Sequence, residues 1–467
     1  MTPARADQIE KLKAGVDVLI IGGGINGAGV LRDLALRVDG SKSKLRVGLV
    51  EQNHFASGTS GKNSQLIHGG LRYLKYLELH LVRESLHERA LLLKLAPQFV
   101  KPLQFFLPMY GVKSRVVYGT GLWLYDRLAG SDAIAPHRIL NKNELARMEP
   151  GLRCQGLTAA ALFYDAAIPS ARFVVENLAD AVERGAIAVN YVRADGMERA
   201  ESGWRVRCTD ALTGAPFEIV ARKLVDARGA WSNPETLRLV RGSHIVIPRV
   251  NASDHAIAHF EPDGRIVFVI PWGSRNQLTL VGTTDEDHRE GPDCVHISRV
   301  ETEYLLGIVR KLFPRQADVA PISTFSSLRP LVRTSGSATR ASRDHRIWNG
   351  EEGILHIAGG KYTTYRSMSE EASDLVCKDV APELAEIHRT ADTPFPPVER
   401  EIGDLMEQHL EDYLFVSTYL GYEQRWDRTT LLPLAQALAA KRGWDAVRVE
   451  AEIETTLTRL SSGAPAS

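Results

Sequence analysis

The apolar positions change period several times along the chain, and each change marks an element. Residues 16–21 are an apolar run interrupted only by Asp17, too short for an ordinary helix, and they run into Gly22, Gly23, Gly24 and Gly27. Beyond the glycines, Val30, Leu31, Leu34, Ala35 and Val38 recur at helical spacing, which predicts a helix over 28–38 with one face laid on a sheet. Strand, tight turn and helix N-terminus in that order make a cradle for a dinucleotide pyrophosphate. Gly22 permits the turn, Gly24 lets the backbone approach the phosphates, and Gly27 lets the helix sit close to the strand. The exposed amides and the positive end of the helix dipole favour phosphate oxygens. A second strand over 45–50 ends in Glu51, about 20 residues or slightly more past the glycines, where a carboxylate holds a ribose hydroxyl pair. The plainer reading of the same residues is a glycine-rich turn in a structural strand–helix–strand unit.

Residues 53–64 form a polar, small-residue loop leading into Gln65-Leu66-Ile67-His68-Gly69-Gly70-Leu71-Arg72-Tyr73-Leu74. Its Ser, Thr and Gly supply amides and hydroxyls at little steric cost, which suits a second pass along a phosphate or else a surface loop. Helices are predicted over 80–96, stopped by Pro97, and over 170–184, the latter followed by a strand over 186–192. Runs at 204–208 and 217–220 flank the hairpin signal Thr213-Gly214, and 224–231 returns as a strand running into Gly229. Between 243 and 281, short strand-like runs separated by Pro262-Asp263-Gly264 and Gly273-Ser274-Arg275-Asn276 predict an antiparallel sheet, with a helix over 298–313 behind it. Residues 353–361 again read strand, double glycine, helix start, a late strand that makes the first domain discontinuous. Residues 101–130 mix aromatic and apolar positions with Lys113, Arg115 and Arg127, and suit either a membrane-surface element or a core segment. From about residue 380 the chain is helix-rich and carries no chemistry that can be named.

The pattern therefore predicts an α/β fold in three parts. These are a discontinuous Rossmann-like dinucleotide domain (1–100, 150–235 and 345–380), an antiparallel β-sheet substrate domain (101–149 and 236–344) and a short helical C-terminal region (381–467). A length of 467 residues is enough for such an arrangement. Lys plus Arg and Asp plus Glu number 57 each, and the resulting zero net charge argues against nucleic acid as a main partner while leaving room for a local basic pocket. Cys154, Cys208, Cys294 and Cys377 lie far apart with no CxxC pair, which fits a reduced compartment rather than a disulfide framework or a zinc site, so no metal is expected. The first fifteen residues alternate in charge and lack an apolar core, and no run is long enough to cross a bilayer. The expected location is cytoplasmic, with room for a peripheral position on the inner face of the membrane.

At this point the motifs assemble. Ile21-Gly22-Gly23-Gly24-Ile25-Asn26-Gly27-Ala28-Gly29, the Leu66-to-Leu74 stretch, Gly242-Ser243-His244-Ile245-Val246, Ile266-Val267-Phe268-Val269-Ile270-Pro271-Trp272 and Gly282-Thr283-Thr284-Asp285 together resemble FAD-dependent glycerol-3-phosphate dehydrogenase, of the D-amino-acid-oxidase-like flavoenzymes. Leu328-Arg329-Pro330-Leu331, Ser342-Arg343-Asp344 and Gly359-Gly360-Lys361-Tyr362-Thr363-Thr364-Tyr365-Arg366 complete the set. The resemblance implies a flavoenzyme that oxidises sn-glycerol 3-phosphate to dihydroxyacetone phosphate and passes electrons to a membrane quinone, or to oxygen in oxidase relatives. A membrane-surface contact and a homodimer are within what it implies. Three departures stand out: Ala227-Arg228-Gly229 replaces the usual Ala-Thr-Gly, the loop at Gly61-Lys62-Asn63 is less uniformly small, and the tail after about Pro382 is short and divergent.

By the resemblance, FAD is held by Gly22, Gly24, Ile25, Asn26, Gly27 and Glu51, and by Thr59, Ser60, Ser64, Leu66, His68, Gly69 and Gly70. Val192, Gly229 and Trp231, and then Gly360, Lys361, Tyr362, Thr363 and Thr364, complete its contacts, with His68 along the isoalloxazine. Arg72, Tyr73, Arg329, Arg343 and Lys361 are assigned to the substrate, chiefly its phosphate, because arginine forks match such oxygens. Each arginine taken alone reads more readily as a surface ion pair, and the motif context reverses that. For the proton, His244 is the expected base, its unperturbed pKa near ~6.5 suiting neutral pH. Lys361 competes for that role or stabilises reduced flavin, and Arg329 completes the catalytic set. Beside this reading stand a flavin amino-acid oxidase, a non-catalytic flavin-binding redox sensor and a nicotinamide dehydrogenase.

Overall fold

The computed structural model describes residues 4–232, 236–333, 345–397 and 399–462. Val16–Ile21 is the axis of the first sheet, pairing in parallel with Val47–Val50 on one side and Pro216–Asp226 on the other. A parallel strand covered on both faces must be apolar along its length, which is why this run shows no alternation. Ile187–Val189 and Leu355–Gly359 extend the sheet in parallel, and His345–Asn349 closes one edge antiparallel. Val192–Ala200 and Gly203–Asp210 form an antiparallel meander with Pro216–Asp226, turning at Gly214, whose φ of 74° is open to glycine.

The helix Ile25–Val38 packs between the helices Ser170–Glu183 and Tyr365–Val380. It is buried almost all round, including polar positions outside the apolar stripe. Arg32 meets Asp180 at 2.6 Å, and Arg37 meets Asp33 at 2.7 Å and Asp374 at 2.6 Å. Charges this deep survive only when paired, and burial still pushes the Asp33 carboxyl up to about 6.

The second sheet runs in the order Glu286–Asp287, Leu237–Pro248, Leu278–Gly282, Ile266–Trp272, Ala256–Phe260, Lys101–Tyr110, Leu157–Ala167, Leu66–Ile67. Ser323–Val332 also pairs with Leu237–Pro248, and Arg138–Asn141 with Leu157–Ala167. One pairing is parallel, Ala256–Phe260 on Lys101–Tyr110, so the sheet is mixed where a purely antiparallel one was expected. The two strands reach the sheet on separate excursions of the chain and meet without a hairpin between them. Leu157–Ala167, within the span expected of the dinucleotide domain, pairs here between Lys101–Tyr110 and Leu66–Ile67. Its run of Ala159, Ala160 and Ala161 is poor in β-branched residues, so the strand has little signature in the sequence.

The aromatic stretch divides in two. Lys101–Tyr110 is a strand with Phe105, Phe106, Leu107 and Met109 buried, whereas the helix Val112–Ala129 buries Leu122 and Tyr125 and exposes Val112, Val116, Val117 and Trp123. No helix among the described residues is long and apolar enough to cross a membrane. The C-terminal region is less helical than expected up to the paired helices Arg428–Arg442 and Ala446–Ser462. Among the described residues, the chain passes between the two sheets four times.

Candidate functional site

A cavity of about 490 Å³ opens at the carboxyl ends of the parallel strands, past Ile21, Val50 and Ala227, and continues to the second sheet. This is where open α/β sheets bind ligands. Gly22 has φ +113°, and a Cβ on it would lie 2.5 Å from the Ala227 carbonyl oxygen; a Cβ on Gly27 would lie 2.0 Å from that of Gly22. These two glycines bring helix and strands together, and Gly27 itself does not line the cavity. Gly24, Ile25 and Asn26 do, and a Cβ on Gly24 would meet only Ser60 Oγ, at 3.1 Å. Glu51 also lines the cavity, one oxygen accepting the Gly23 amide at 2.7 Å and the other the Asn53 amide at 2.9 Å. Burial nonetheless pushes its pKa up.

The loop 53–64 is stapled in place rather than loose on the surface. Ser60 Oγ accepts the Ile25 amide at 2.9 Å, tying the loop to the first turn of the glycine-flanked helix. The Asn63 amide donates to the Ser60 carbonyl at 2.8 Å while its Oδ1 accepts the Gln65 amide at 2.8 Å. The Thr59 hydroxyl donates to the Leu328 carbonyl, and the Ser327 hydroxyl to the Lys62 carbonyl at 2.6 Å, so the second sheet holds the loop from behind.

The double glycine after His68 is fixed by a residue that the sequence reading missed. Asp165 Oδ1 accepts the Gly69 amide at 3.1 Å, the Tyr125 hydroxyl at 2.7 Å and Arg89 Nη1 at 2.6 Å, all buried. Burial, with Asp165 alongside, pushes the Tyr125 phenol well up, so it remains a donor. A Cβ on Gly69 would meet Tyr125 and Leu86, which seals that glycine away from the cavity; Gly70, with φ +76°, lines it. Asp165 lies on the alanine-rich strand, and its only sequence signal is a carboxylate inside an apolar run.

At the second-sheet end stand His244, Arg329, Tyr73 and Lys361. His244 is buried, stacks on Phe325 with ring centroids 5.0 Å apart, and has Nε2 2.8 Å from Ser64 Oγ; its Nδ1 has no partner among the described residues. Gly282 makes room for it, since a Cβ there would lie 2.1 Å from the ring. The expected ordinary histidine pKa is corrected by the structure: burial, helped by the Arg329 charge, pulls it down to about 3, and the imidazole is neutral. Arg329 donates to Asp285 at 2.8 Å, to the Thr284 carbonyl at 3.1 Å and to the Thr283 hydroxyl at 2.8 Å. Lys361 donates to the Leu81 carbonyl at 3.1 Å and Ser85 Oγ at 2.9 Å, with its ammonium 4.2 Å from the Tyr73 ring centroid. The side chain of Arg72, and Arg343 altogether, lie outside the described residues.

Thr59, Ser60, Ser64, Leu66, His68, Val192, Gly229, Trp231, Gly360, Tyr362 and Thr363 line the same cavity, while Thr364 does not. The Thr363 hydroxyl accepts the His68 amide at 3.2 Å, and Arg228, the departure from the usual Thr, is occupied with Asp226 at 2.8 Å. Lys62, Phe268, Thr283 and Ser327 line the cavity too, and none was singled out for it from the sequence. One groove thus joins a ribose-type carboxylate at Glu51, the opening at Gly24 and a mixed aromatic and cationic end. The residues present fit an elongated dinucleotide with its redox ring at the second sheet.

Comparison with known proteins agrees with this fit. The family model described as FAD dependent oxidoreductase matches residues 17–366. A glycerol-3-phosphate dehydrogenase of Pseudomonas aeruginosa is 36% identical over 435 residues, covering 88% of this chain and 81% of that protein. The crystal structure of glycerol-3-phosphate dehydrogenase from Bacillus halodurans complexed with FAD superimposes with a TM-score of 0.74 at 22% identity, covering 99% of both chains. That of L-alpha-glycerophosphate oxidase from Mycoplasma pneumoniae, with FAD bound, gives 0.62 at 17% identity, covering 82% of this chain and 100% of its own. The two structural likenesses speak for the fold.

Proposed function

This chain belongs to the FAD-dependent oxidoreductases, in the glycerol-3-phosphate dehydrogenase family, and on that premise we propose that it oxidises sn-glycerol 3-phosphate to dihydroxyacetone phosphate and hands the electrons to a quinone. The observation that carries the reading is the pairing of a pre-set arginine, Arg329, with a buried neutral imidazole, His244, at one end of the FAD cavity. FAD, when bound, supplies the two-electron acceptor for the hydride. The protein's own share is to hold the anion, orient the alcohol and receive its proton.

A phosphate is costly to desolvate, several kcal/mol per ion, unless several donors share it. Arg329 is held by three acceptors ahead of substrate, and Arg72 and Arg343 join it on the phosphate by their motifs. Lys361 we assign to substrate binding rather than to the proton, because an amine already donating to Leu81 and Ser85 is a poor base. With Nδ1 of His244 enclosed, the proton is taken at Nε2, where Ser64 Oγ either gives way to the substrate hydroxyl or relays from it. A dianion beside Arg329 offsets the cation that depresses the imidazole, so the base strengthens when the site fills. Amino-acid oxidases of this fold need one or two cations for a carboxylate; the larger cationic set here favours a phosphate.

For the acceptor, the helix Val112–Ala129 supports a quinone reached at a membrane surface, since it exposes Val112, Val116, Val117 and Trp123 beside Lys113 and Arg115. Anaerobic mixing of the yellow holoenzyme with glycerol 3-phosphate should bleach the flavin, and His244→Ala should slow that bleaching by about 10² or more with phosphate binding kept. A flavin that stays oxidised refutes the function, and unchanged kinetics in the variant remove His244 from the role. Rapid peroxide release with negligible quinone-analogue reduction would make the enzyme an oxidase instead.

A further inference from the structure

Two of the departures noted in the sequence, Lys62 and the divergent C-terminal region, meet at one place. A second cavity, also of about 490 Å³, lies against the loop that contains Ser57, Gly58 and Lys62. The loop and Trp231 line both cavities, and a Cβ on Gly58 would lie 3.1 Å from the indole. The facing wall comes from the C-terminal region, with Phe415, Tyr422 and Arg459.

Donors and acceptors around this cavity do not balance. Glu411 is paired with Arg459, Asp412 accepts the Tyr191 hydroxyl at 2.6 Å, Glu452 accepts the Leu410 amide at 2.8 Å, and Asp293 accepts the Trp231 indole N–H at 2.8 Å. Each carboxylate is therefore engaged. Among the described residues, two donors stand out. His54 Nδ1 takes the Asn190 amide at 2.8 Å, which puts the ring proton on Nε2, and Nε2 has no partner. The Lys62 ammonium has no hydrogen bond or ion pair to any described residue, although its backbone carbonyl is engaged by Ser327. Burial, with Arg459 nearby, pulls its pKa down to about 8. A buried donor such as His54 Nε2 is costly without an acceptor, and the partly exposed Lys62 ammonium adds a charge with no ion pair among the described residues, so a ligand that supplies an acceptor is favoured.

We propose that this second cavity is a ligand site separate from the flavin and substrate cavity, taking a small organic anion with its charged group on Lys62 and its apolar body against Trp231, Phe415 and Tyr422. The site stands independently of the substrate reading. To test it, the FAD-loaded full chain is titrated with 2-naphthoate and with its neutral counterpart 2-naphthamide, followed by tryptophan fluorescence and calorimetry, with dihydroxyacetone phosphate in excess. Naphthoate should bind saturably, with naphthamide and Lys62→Met each weaker by about 10-fold or more and Lys62→Arg close to the parent. Affinity should fall as the pH rises through about 8. Thr455→Trp, on the exposed rim of the cavity, should block binding without touching Lys62. The proposal is overturned by absence of saturable binding, by competition from dihydroxyacetone phosphate, or by equal affinity in Lys62→Met. It is also overturned if Lys62→Met releases FAD while Lys62→Arg retains it, since the lysine then serves the dinucleotide.

Discussion

Asp165→Asn tests whether a buried carboxylate in the wall of the flavin cavity holds the adjoining turn in shape. The substitution keeps volume and leaves an oxygen able to accept the Gly69 amide, but it removes the charge opposite Arg89. Arg89 and Asp165 are both buried, 2.6 Å apart, and among the described residues Arg89 otherwise has only the carbonyls of Tyr164 and Asp132. Breaking such a pair from one side costs about 3–5 kcal/mol, because the remaining charge stays buried and uncompensated. With an unfolding entropy of ~2.1 cal/mol/K per residue, 467 residues give ~1 kcal/mol/K, so the melting temperature should fall by about 3–5 °C. The assay is scanning calorimetry on FAD-loaded protein, with FAD affinity measured in parallel by fluorescence recovery. Arg89→Met and the double variant complete a cycle, in which the double variant should be less destabilised than the sum of the singles by at least ~2 kcal/mol. Additive losses, or an Asp165→Asn cost within ~1 kcal/mol with FAD affinity unchanged, would refute the reasoning.

His244→Gln addresses the acid limb of stability. With the folded imidazole at about 3 and the unfolded one near ~6.5, the unfolded chain alone binds the proton between those values, so stability falls as pH drops through that window. Urea midpoints of the variant should fall less steeply from pH 6.5 to 4.5, and an unaltered slope would show that the ring titrates normally. Gly27→Ala places a methyl 2.0 Å from the Gly22 carbonyl oxygen, a backbone atom that cannot swing aside. FAD should bind about 10-fold or more weakly and the fold should lose stability, whereas Gly119→Ala, with nothing within 4 Å, should be neutral or gain up to ~1 kcal/mol as a better helix former. Replacing Val116 and Trp123 by Asp should abolish co-sedimentation with anionic lipid vesicles while leaving flavin reduction intact, and persistent binding would remove the Val112–Ala129 helix from the membrane contact.

What the sequence made legible follows from how local each signal is. The glycine turn and Glu51 are read within one strand–helix–strand unit, and Gly22, Gly24 and Glu51 line one cavity. The motif residues His244 and Arg329 came through resemblance, and no periodicity would have joined positions so far apart in the chain. The charge state of His244 was not legible at all, because desolvation depends on Phe325 and Gly282 folding around it. Asp165 was missed for the opposite reason: its strand is rich in alanine, and its partners Arg89 and Tyr125 lie on the 80–96 helix and the ambiguous 101–130 stretch, neither of which the sequence ties to this site. The parallel pairing of Ala256–Phe260 with Lys101–Tyr110 has no sequence signature, since turn residues announce only hairpins.

The four passages between the sheets have a consequence for how the molecule is made. Neither layer is a contiguous piece of chain, so no early-synthesised half can finish its own interior and wait for the other. Pairings at such sequence separation are slow to close, and the crevice where they converge matures last. Cofactor capture then belongs to the closing stage of maturation, and a nascent chain starved of flavin should be cut by proteases along the boundary between the layers rather than within either one.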